Sequence, residues 1–430
     1  MRKEDLMAKI KLPYGERFLR AEIPDNRLEG IMSSKANDFR PNEPEAEIVR
    51  KALTAPVAGL PLRKMAEGKD KIVIITSDHT RPMPSRLTMP LLLEEIRKGN
   101  PKAEVCILIA TGFHRPTTEN ELRQRFGNDI VDREKIVVHD CTDESMLKTI
   151  GRLSSGVDLK INKLAFEADL LAAEGFIEPH FFAGFSGGRK SILPGVAGRK
   201  SIMANHAAGM INDPRSRTGV LTGNPIHEEM VTAAGTAGLA FILNVVINKD
   251  KRIIKAFSGH YNHAHLAGCE FLAKEAGVQS QPADIVITTN GGYPLDQNIY
   301  QTVKCMTAAE ATCRENGVII VASECRDGHG GDSFFQTFAR AAHPRDVLEE
   351  IIKRSPEETI PDQWEAQILA RILIKHRVIM ATGAPREMVE SMHMKWAPSV
   401  ESAIDLAGDL LGNNKGNITV IPDGVGVIVR

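Results

Sequence analysis

Short runs of β-branched and other apolar residues alternate along this chain with segments of helical periodicity. Strands are predicted at residues 71–77, 105–111, 135–139 and 169–175, and a second series begins at residues 283–290 and 317–323. Helical patterns follow the first two strands, at residues 90–98 and after Thr117. Such alternation is typical of a parallel sheet with helices on both faces, so the sequence predicts an α/β fold.

A chain of 430 residues is longer than one hydrophobic core usually supports, so two domains are expected. The polar, turn-rich segment at residues 277–282 is the best candidate for the boundary. We predict an N-terminal domain over residues 1–275, completed by a returning strand pair at residues 412–430. A second α/β domain is predicted over residues 280–411, with mainly parallel sheets in both domains and the catalytic cleft between them.

The composition is that of an ordinary globular protein, with 42% hydrophobic and 25% charged residues. The formal net charge is −1, which gives no electrostatic reason to expect nucleic acid or a membrane surface as a partner. The first residues contain no long apolar segment of the kind that directs secretion. The six cysteines are scattered without a CxxC pair, so we expect reduced thiols and a cytoplasmic location.

Polar residues follow four of the predicted strands, and open α/β sheets bind ligands beyond the carboxyl ends of their strands. Each of the four carries a histidine, an arginine or a lysine, so we expect them to share one site. The candidates are Asp78, His79 and Arg81 after the first strand, His114 after the second, His180 after the strand at 169–175, and Tyr300, Gln301 and Lys304 after the strand at 283–290.

The run from Glu178 to Ser191 is the densest in potential chemistry. Ser186, Gly187 and Gly188 form a glycine-rich turn whose backbone N–H groups could hold a phosphate, and Lys190 beside them could bind a cofactor covalently. A P-loop would have a glycine where Arg189 stands, so that interpretation is poor. The alternative is an ordinary loop with a solvated Arg189–Lys190 pair.

Five motifs in their order along the chain resemble those of the nickel-dependent lactate racemases. They are Ser77-Asp-His-Thr-Arg-Pro, Ala110-Thr-Gly-Phe-His-Arg, the Glu178–Lys190 run, Asn205-His206 and Thr289-Asn-Gly-Gly-Tyr-Pro-Leu-Asp-Gln-Asn-Ile-Tyr-Gln. The resemblance covers most of the chain, from about the first strand to Trp364. It implies a nickel-pincer nucleotide as cofactor, a pyridinium mononucleotide whose sulfur and carbon atoms hold nickel. It also implies transient contact with the proteins that synthesise this cofactor.

The resemblance assigns a role to each matching position. Lys190 would carry the cofactor through a thioamide bond, and His206 would be the protein ligand of nickel. His114 and His180 would be the two general acid/bases. Asp78 would contribute to the cofactor site, Arg81 and Lys304 would bind the substrate carboxylate, and Tyr300, Gln301 and Trp364 would complete the substrate site.

The implied function is racemisation or epimerisation of a small 2-hydroxy acid, most simply lactate, by reversible hydride transfer through a 2-keto acid. Two histidines suit this reaction, because each enantiomer needs its own base for the hydroxyl proton. The alternative is a phosphate- or nucleotide-binding protein, or a hydrolase that uses the glycine-rich loop. His79 is expected to be structural, and His260, His263 and His265 are expected to lie at a solvated helix start.

Overall fold

The computed structural model describes residues 7–412 and 416–430, which divide into two compact units. One unit is Lys35–Glu275, and the other combines the residues before Lys35 with Ala276–Arg430. Each contains a six-stranded sheet in which parallel pairs predominate. The predicted α/β class is therefore confirmed. Among the described residues, no helix is both long and apolar enough to cross a membrane.

The sheet of the Lys35–Glu275 unit has strands Leu170–Phe176 and Lys71–Ser77 at its centre. Strand Leu170–Phe176 is buried along its whole length, as expected of a parallel strand covered on both faces. The order across the sheet is Ile253–Gly259, Leu239–Ile247, Leu170–Phe176, Lys71–Ser77, Glu104–Ala110 and Lys135–Val138, with only the first pair antiparallel. Two short hairpins join Leu147–Arg152 to Asp158–Asn162 and Pro179–His180 to Gly184–Phe185.

Helices connect and cover these strands. The helix after the second strand begins at Thr118, whose hydroxyl accepts from the Glu121 N–H while the Glu121 carboxylate accepts from the Thr118 N–H. The helices are Glu45–Thr54, Leu62–Met65, Ser85–Gly99, Glu119–Phe126, Asn128–Arg133, Lys163–Phe166, Arg199–Asn205, Ala208–Asn212, Pro225–Thr236 and His263–Ala276, with 3₁₀ turns at Lys35–Asp38, Glu144–Met146 and Gly188–Ser191.

The second unit has an all-parallel sheet. Its strand order is Lys395–Ala397, Arg377–Ala381, Cys313–Ala322, Ala283–Thr289, Ile418–Ile421 and Leu28–Ile31. A hairpin of Met7–Tyr14 and Arg17–Pro24 and a short pair of Gly277–Val278 and Ile428–Val429 are added to it. Its helices are Ile299–Glu310, Asp332–Ala339, Pro344–Lys353, Gln363–Lys375, Arg386–Ser391 and Val400–Leu411, with a 3₁₀ turn at Pro356–Glu358.

Both chain ends belong to this second unit, which corrects the predicted domain limits. Strand Ile418–Ile421 lies between Ala283–Thr289 and Leu28–Ile31, so the tail at 412–430 does not complete the N-terminal domain. Residues 413–415 of that tail lie outside the described residues. The N-terminal hairpin also packs here, because its inward residues Ile10 and Leu12 share one core with the sheet. Residues 7–34 therefore do not belong with residues 35–275.

Candidate active site

Asp78 and His114 lie at the carboxyl ends of two adjacent parallel strands. Ser77 pairs in register with Ala110, so the residues that follow the two strands emerge side by side. The Asp78 Oδ2 atom lies 2.7 Å from His114 Nδ1. Two of the predicted strand-end residues are thus in direct contact, as expected from sheet topology.

The Asp78 carboxyl group is buried yet ionised. Burial alone would raise its pKa, but hydrogen bonds from His114 and Thr80, aided by the charge of Arg81, hold the pKa below its usual value. The Thr80 N–H and hydroxyl both donate to Asp78 Oδ1, at 3.1 and 2.6 Å. Since a carboxylate only accepts, His114 donates through Nδ1–H, and its Nε2 carries the lone pair that can take a proton.

Arg81 lies beside this pair. Its backbone N–H donates to the Asp78 carbonyl at 3.3 Å, and its guanidinium donates to the Thr80 hydroxyl at 3.2 Å. Arg81 is exposed. A bidentate cation is therefore available next to a basic imidazole nitrogen, which is an arrangement suited to a small carboxylate.

Three further predicted residues gather around the ring of Phe182, which the sequence did not single out. The His180 ring lies 4.5 Å and the His206 ring 5.3 Å from it, both edge to face. The Lys190 Nζ atom lies 5.7 Å from its centroid. Lys190 Nζ also lies 3.4 Å from His180 Nε2. The amine of Lys190, the acid/base candidate His180 and the metal-ligand candidate His206 thus all lie around the ring of Phe182.

A short hydrogen-bonded path links this cluster to the His114 loop. The Gly112 N–H donates to the Gly195 carbonyl at 2.9 Å, and the Gly195 N–H donates to the Lys190 carbonyl at 3.0 Å. The N-terminal site candidates therefore belong to one connected region of their unit.

The glycine-rich turn is not arranged as the phosphate-binding loop that the sequence suggests. The Ser186 N–H donates to the Glu178 carbonyl at 2.9 Å, and the Gly188 N–H donates to Asn244 Oδ1 at 2.8 Å, so these two amides are occupied within the protein. A Cβ atom at Gly188 would lie 2.7 Å from the His265 ring, and one at Gly187 would lie 2.8 Å from Asn244 Oδ1. The glycines are thus required for close packing, and a phosphate seat on those two amides is not what the structure shows.

Arg189 is buried rather than solvated, with 1% of its surface exposed. Its guanidinium donates to the carbonyls of Ala183 at 2.8 Å and Ser186 at 3.3 Å, and lies 3.0 Å from His265 Nε2. Burial lowers the pKa of Arg189 to about 10. The alternative interpretation, a solvated Arg189–Lys190 pair, is therefore wrong, and so is the expected solvated position of His265, which is itself buried.

His206 is buried, and one of its two ring nitrogens is hydrogen-bonded to the main chain. Its Nδ1–H donates to the Ile202 carbonyl at 3.0 Å, which places the lone pair on Nε2. Burial first, and then the charge of Lys190, lowers the pKa of His206 to about 3. The ring is therefore neutral, as a metal ligand must be. Within the described residues no group of three or more His, Cys, Asp or Glu is placed to hold a metal ion, so a metal on His206 needs ligands from a cofactor.

In the second unit, the predicted residues occupy two neighbouring helices. Lys304 Nζ donates to Gln301 Oε1 at 2.6 Å, and the Tyr300 hydroxyl donates to Asp362 Oδ1 at 2.8 Å. Trp364, on helix Gln363–Lys375, has a side-chain hydrogen bond with Tyr300. Burial, and then the charges of Glu365 and Asp362, raises the pKa of Tyr300 well above 10, so its hydroxyl keeps its proton.

Glu365 is a buried carboxyl group that the sequence did not single out. Burial raises its pKa to about 8, the charge of Lys304 opposes the rise, and that of Asp362 adds to it. Its Oε1 atom has no hydrogen-bond partner among the residues described. Burial therefore favours the protonated form of Glu365.

Comparison with known proteins identifies the family of this chain. The family models for the lactate racemase N-terminal domain and the lactate racemase C-terminal domain match residues 14–219 and 278–429. The chain is 57% identical to the lactate racemase of Thermoanaerobacterium thermosaccharolyticum and 50% identical to that of Lactiplantibacillus plantarum, in each case over 99% of this chain and 100% of the relative.

Two solved structures share the fold. The lactate racemase apoprotein from Thermoanaerobacterium thermosaccharolyticum superimposes with a TM-score of 0.95 at 57% identity, over 98% of this chain and 100% of that one. A protein from Thermotoga maritima superimposes with a TM-score of 0.67 at 18% identity, over 91% of this chain and 100% of that one, which indicates a shared fold alone. The chain is thus an isomerase that belongs to the lactate racemase family.

Proposed function

We propose that this protein interconverts the two enantiomers of lactate. The observation that carries the proposal is the position of two histidines, His114 and His180, in one hydrogen-bonded region that also contains Lys190 and the neutral imidazole of His206. A racemase needs one base for each enantiomer, and this region supplies two. The family's named activity and the identity over nearly the whole chain support the same reaction.

The cofactor proposed is a nickel-pincer nucleotide, joined to Lys190 by a thioamide bond and bound through nickel to His206. Both residues fit this role. Lys190 offers a primary amine 5.7 Å from the Phe182 centroid, and His206 offers a neutral ring with Nε2 as the lone-pair nitrogen. When bound, the cofactor would supply an acceptor for the Cα hydrogen of the substrate as hydride. No side chain of the site can do so, and removal of that hydrogen as a proton would be slow because the Cα–H is a poor acid.

The side chains of the site then transfer the hydroxyl proton of the substrate and bind its carboxylate. His114 Nε2 takes the hydroxyl proton of one enantiomer, and the Asp78 carboxylate at Nδ1 stabilises the positive charge that forms. His180 serves the other enantiomer, and the Ala183 N–H held 3.3 Å from Nδ1 directs its proton exchange to Nε2. Arg81 offers its planar fork to the substrate carboxylate.

The second unit is proposed to contribute to the substrate site through Lys304, Tyr300, Gln301 and Trp364. Lys304 would supply a second positive charge for the carboxylate, and its amine is held by Gln301 in the present conformation. Tyr300 and Trp364 are hydrogen-bonded to each other, so they would present one rigid polar and aromatic surface.

The test begins with protein purified from a host that makes the cofactor. We expect one nickel per chain, a mass gain on the peptide that contains Lys190, and conversion of either lactate enantiomer to the racemate. In deuterium oxide the Cα hydrogen should be retained, because a hydride transfer does not expose it to solvent. Rapid incorporation of deuterium at Cα during turnover would contradict the proposed reaction.

The Lys190→Ala variant is the matched control. It should fold and keep no covalent cofactor, since only an amine at this position forms the thioamide, and racemisation should be lost. A variant without Lys190 that still retained covalent cofactor would show that the attachment site is elsewhere.

A further inference from the structure

The loop that carries Asp78 and Arg81 is held by an arginine from another element. This loop, residues 78–83, is called the carboxylate loop below. Arg125, on helix Glu119–Phe126, donates through its guanidinium to the Asp78 carbonyl at 2.5 Å, the Arg81 carbonyl at 2.7 Å and the Met83 carbonyl at 3.3 Å. One planar group therefore binds three main-chain oxygens spread over the whole loop.

The same guanidinium is tied to the sheet beneath it. Arg125 lies 3.5 Å from the Ser85 hydroxyl, which donates to the buried carboxylate of Glu174 at 2.5 Å. Thr76 and Thr88 donate to Glu174 as well, each at 2.6 Å. Glu174 and Thr76 are on the two central strands, so the loop is connected through Arg125 to the centre of the sheet.

We propose that Arg125 is a positioning residue for lactate racemisation, which fixes the carboxylate loop so that Arg81 meets the substrate carboxylate and Asp78 meets His114. The inference rests on the proposed function, because Arg81 and His114 act there on substrate. Arg125 does not touch the reacting atoms. Without it three carbonyls lose a charged donor, and the Arg81 carbonyl keeps no other donor among the hydrogen bonds described, whereas the Asp78 and Met83 carbonyls still accept from the N–H groups of Arg81 and Ser85. A displacement of about 1 Å in the loop would cost roughly 10²-fold in rate.

The control for this inference lies two residues away on the same helix. Arg123 pairs with Glu119 and Asp132 at the surface, at 2.8 Å in both cases. Arg123→Met removes an arginine of equal size from the same helix without touching the carboxylate loop. The variants compared are Arg125→Met, Arg125→Lys, Arg125→Ala and Arg123→Met, all in the full chain loaded with cofactor.

With lactate as the substrate, Arg125→Met should raise KM, because Arg81 is displaced, and lower kcat, because Asp78 no longer holds His114. We expect kcat/KM to fall by roughly 10²-fold, whereas Arg123→Met should stay within about twofold. Lysine cannot span three carbonyls, so Arg125→Lys should recover little. Millimolar guanidinium ion should partly restore Arg125→Ala and leave Arg123→Met unchanged, a response that a loss of global stability would not produce.

A second measurement does not depend on the reaction. Amide hydrogen exchange in residues 78–83 should be faster in Arg125→Met than in the parent, and unchanged in Arg123→Met. If the parent failed to racemise lactate but exchange in residues 78–83 was still faster in Arg125→Met, the proposed function would be wrong. The conclusion that Arg125 fixes the carboxylate loop would still hold. Unchanged exchange in the loop, or parent-like kcat and KM in an active Arg125→Met protein, would overturn the inference.

Discussion

Asp78 and Glu365 each have 1% of their surface exposed, and the pKa values of their carboxyl groups are nevertheless shifted in opposite directions. Asp78 is in the Lys35–Glu275 unit and its pKa is lowered, while Glu365 is in the other unit and its pKa is raised to about 8. Each has a cationic residue of the proposed substrate site among its neighbours, Arg81 in one case and Lys304 in the other. Burial and a nearby positive charge therefore do not decide the outcome.

Hydrogen bonds account for the difference. Asp78 accepts two bonds from Thr80 and one from His114, so both of its oxygens are bound in the ionised form. Glu365 leaves Oε1 without a partner among the described residues, so the ionised form would cost the full desolvation energy. The first carboxyl group is thus suited to stabilise positive charge on an imidazole, whereas burial favours the neutral form of the second.

The largest expected effect is the loss of catalysis on Asp78→Asn. An amide keeps the shape and can still accept from Thr80, but its NH₂ group faces His114 Nδ1 and favours the tautomer with the proton on Nε2. The base is then lost, so we expect kcat to fall by roughly 10²- to 10⁴-fold at equal cofactor content. Polarimetry with lactate measures this directly.

Asp140→Asn is a close control for that experiment. Asp140 follows the adjacent strand Lys135–Val138, and it accepts from the Thr142 N–H at 2.8 Å and the Thr142 hydroxyl at 2.7 Å in the same type of turn. It is exposed, so its amide variant should keep parent-like activity. A loss of less than threefold in Asp78→Asn would exclude a catalytic role for the contact between Asp78 and His114.

The next effect concerns stability and its pH dependence at Glu365. Because folding raises this pKa above the ordinary value of 4.5, the folded state binds the extra proton, and its stability falls as pH rises from about 4.5 to about 8. Glu365→Gln cannot ionise, so it should gain stability relative to the parent by up to about 1 kcal/mol per pH unit in that window. Urea midpoints at pH 5, 6, 7 and 8 measure the difference.

Glu349→Gln provides the reference, since Glu349 is exposed on helix Pro344–Lys353. Its urea midpoints should run parallel to those of the parent across the pH range. Parallel curves for Glu365→Gln as well would mean that the Glu365 carboxyl group is ionised in the folded protein, and the contrast with Asp78 would disappear.

Much of the fold was predictable because its strands are continuous apolar runs between turn residues. The predicted strand at 71–77 coincides with Lys71–Ser77, and that at 169–175 differs by one residue from Leu170–Phe176. The partner of the tail strand Ile418–Ile421 was not predictable, because four buried residues, three of them apolar, fit a parallel sheet in either unit. Strand pairing between residues far apart in sequence is set by tertiary packing, which a local pattern does not contain.

The site was predictable where topology alone brings residues together. Adjacent parallel strands ending in Asp78 and His114 must place them at one edge. The burial of Arg189 was not predictable, because Arg189 and Lys190 are adjacent cations in the sequence. In the structure the Arg189 side chain contacts His265, whereas the Lys190 side chain contacts His180. Only the three-dimensional position of helix His263–Ala276 distinguishes them. Phe182 and Glu365 were missed for the same reason, since an apolar ring or a lone carboxyl group carries no signature in sequence.

The smallest effect, and the sharpest test of the hydrogen-bond explanation, is Thr80→Val. Valine has the same shape but removes the hydroxyl that donates to Asp78 Oδ1, while the backbone N–H of residue 80 still donates. We expect a loss of about 1 kcal/mol in stability at neutral pH, as for one typical intramolecular hydrogen bond, because Thr80 is exposed to solvent. Because Asp78 has a lowered pKa when folded, its contribution is present above the unfolded value and lost as pH falls through the folded one. The loss of stability in Thr80→Val should therefore be smaller in acid than at neutral pH. Thr142→Val, at the exposed equivalent turn, should lose less stability than Thr80→Val. A deficit in Thr80→Val that was the same at pH 3 and pH 7 would show that the hydroxyl stabilises the loop without stabilising the charge of Asp78.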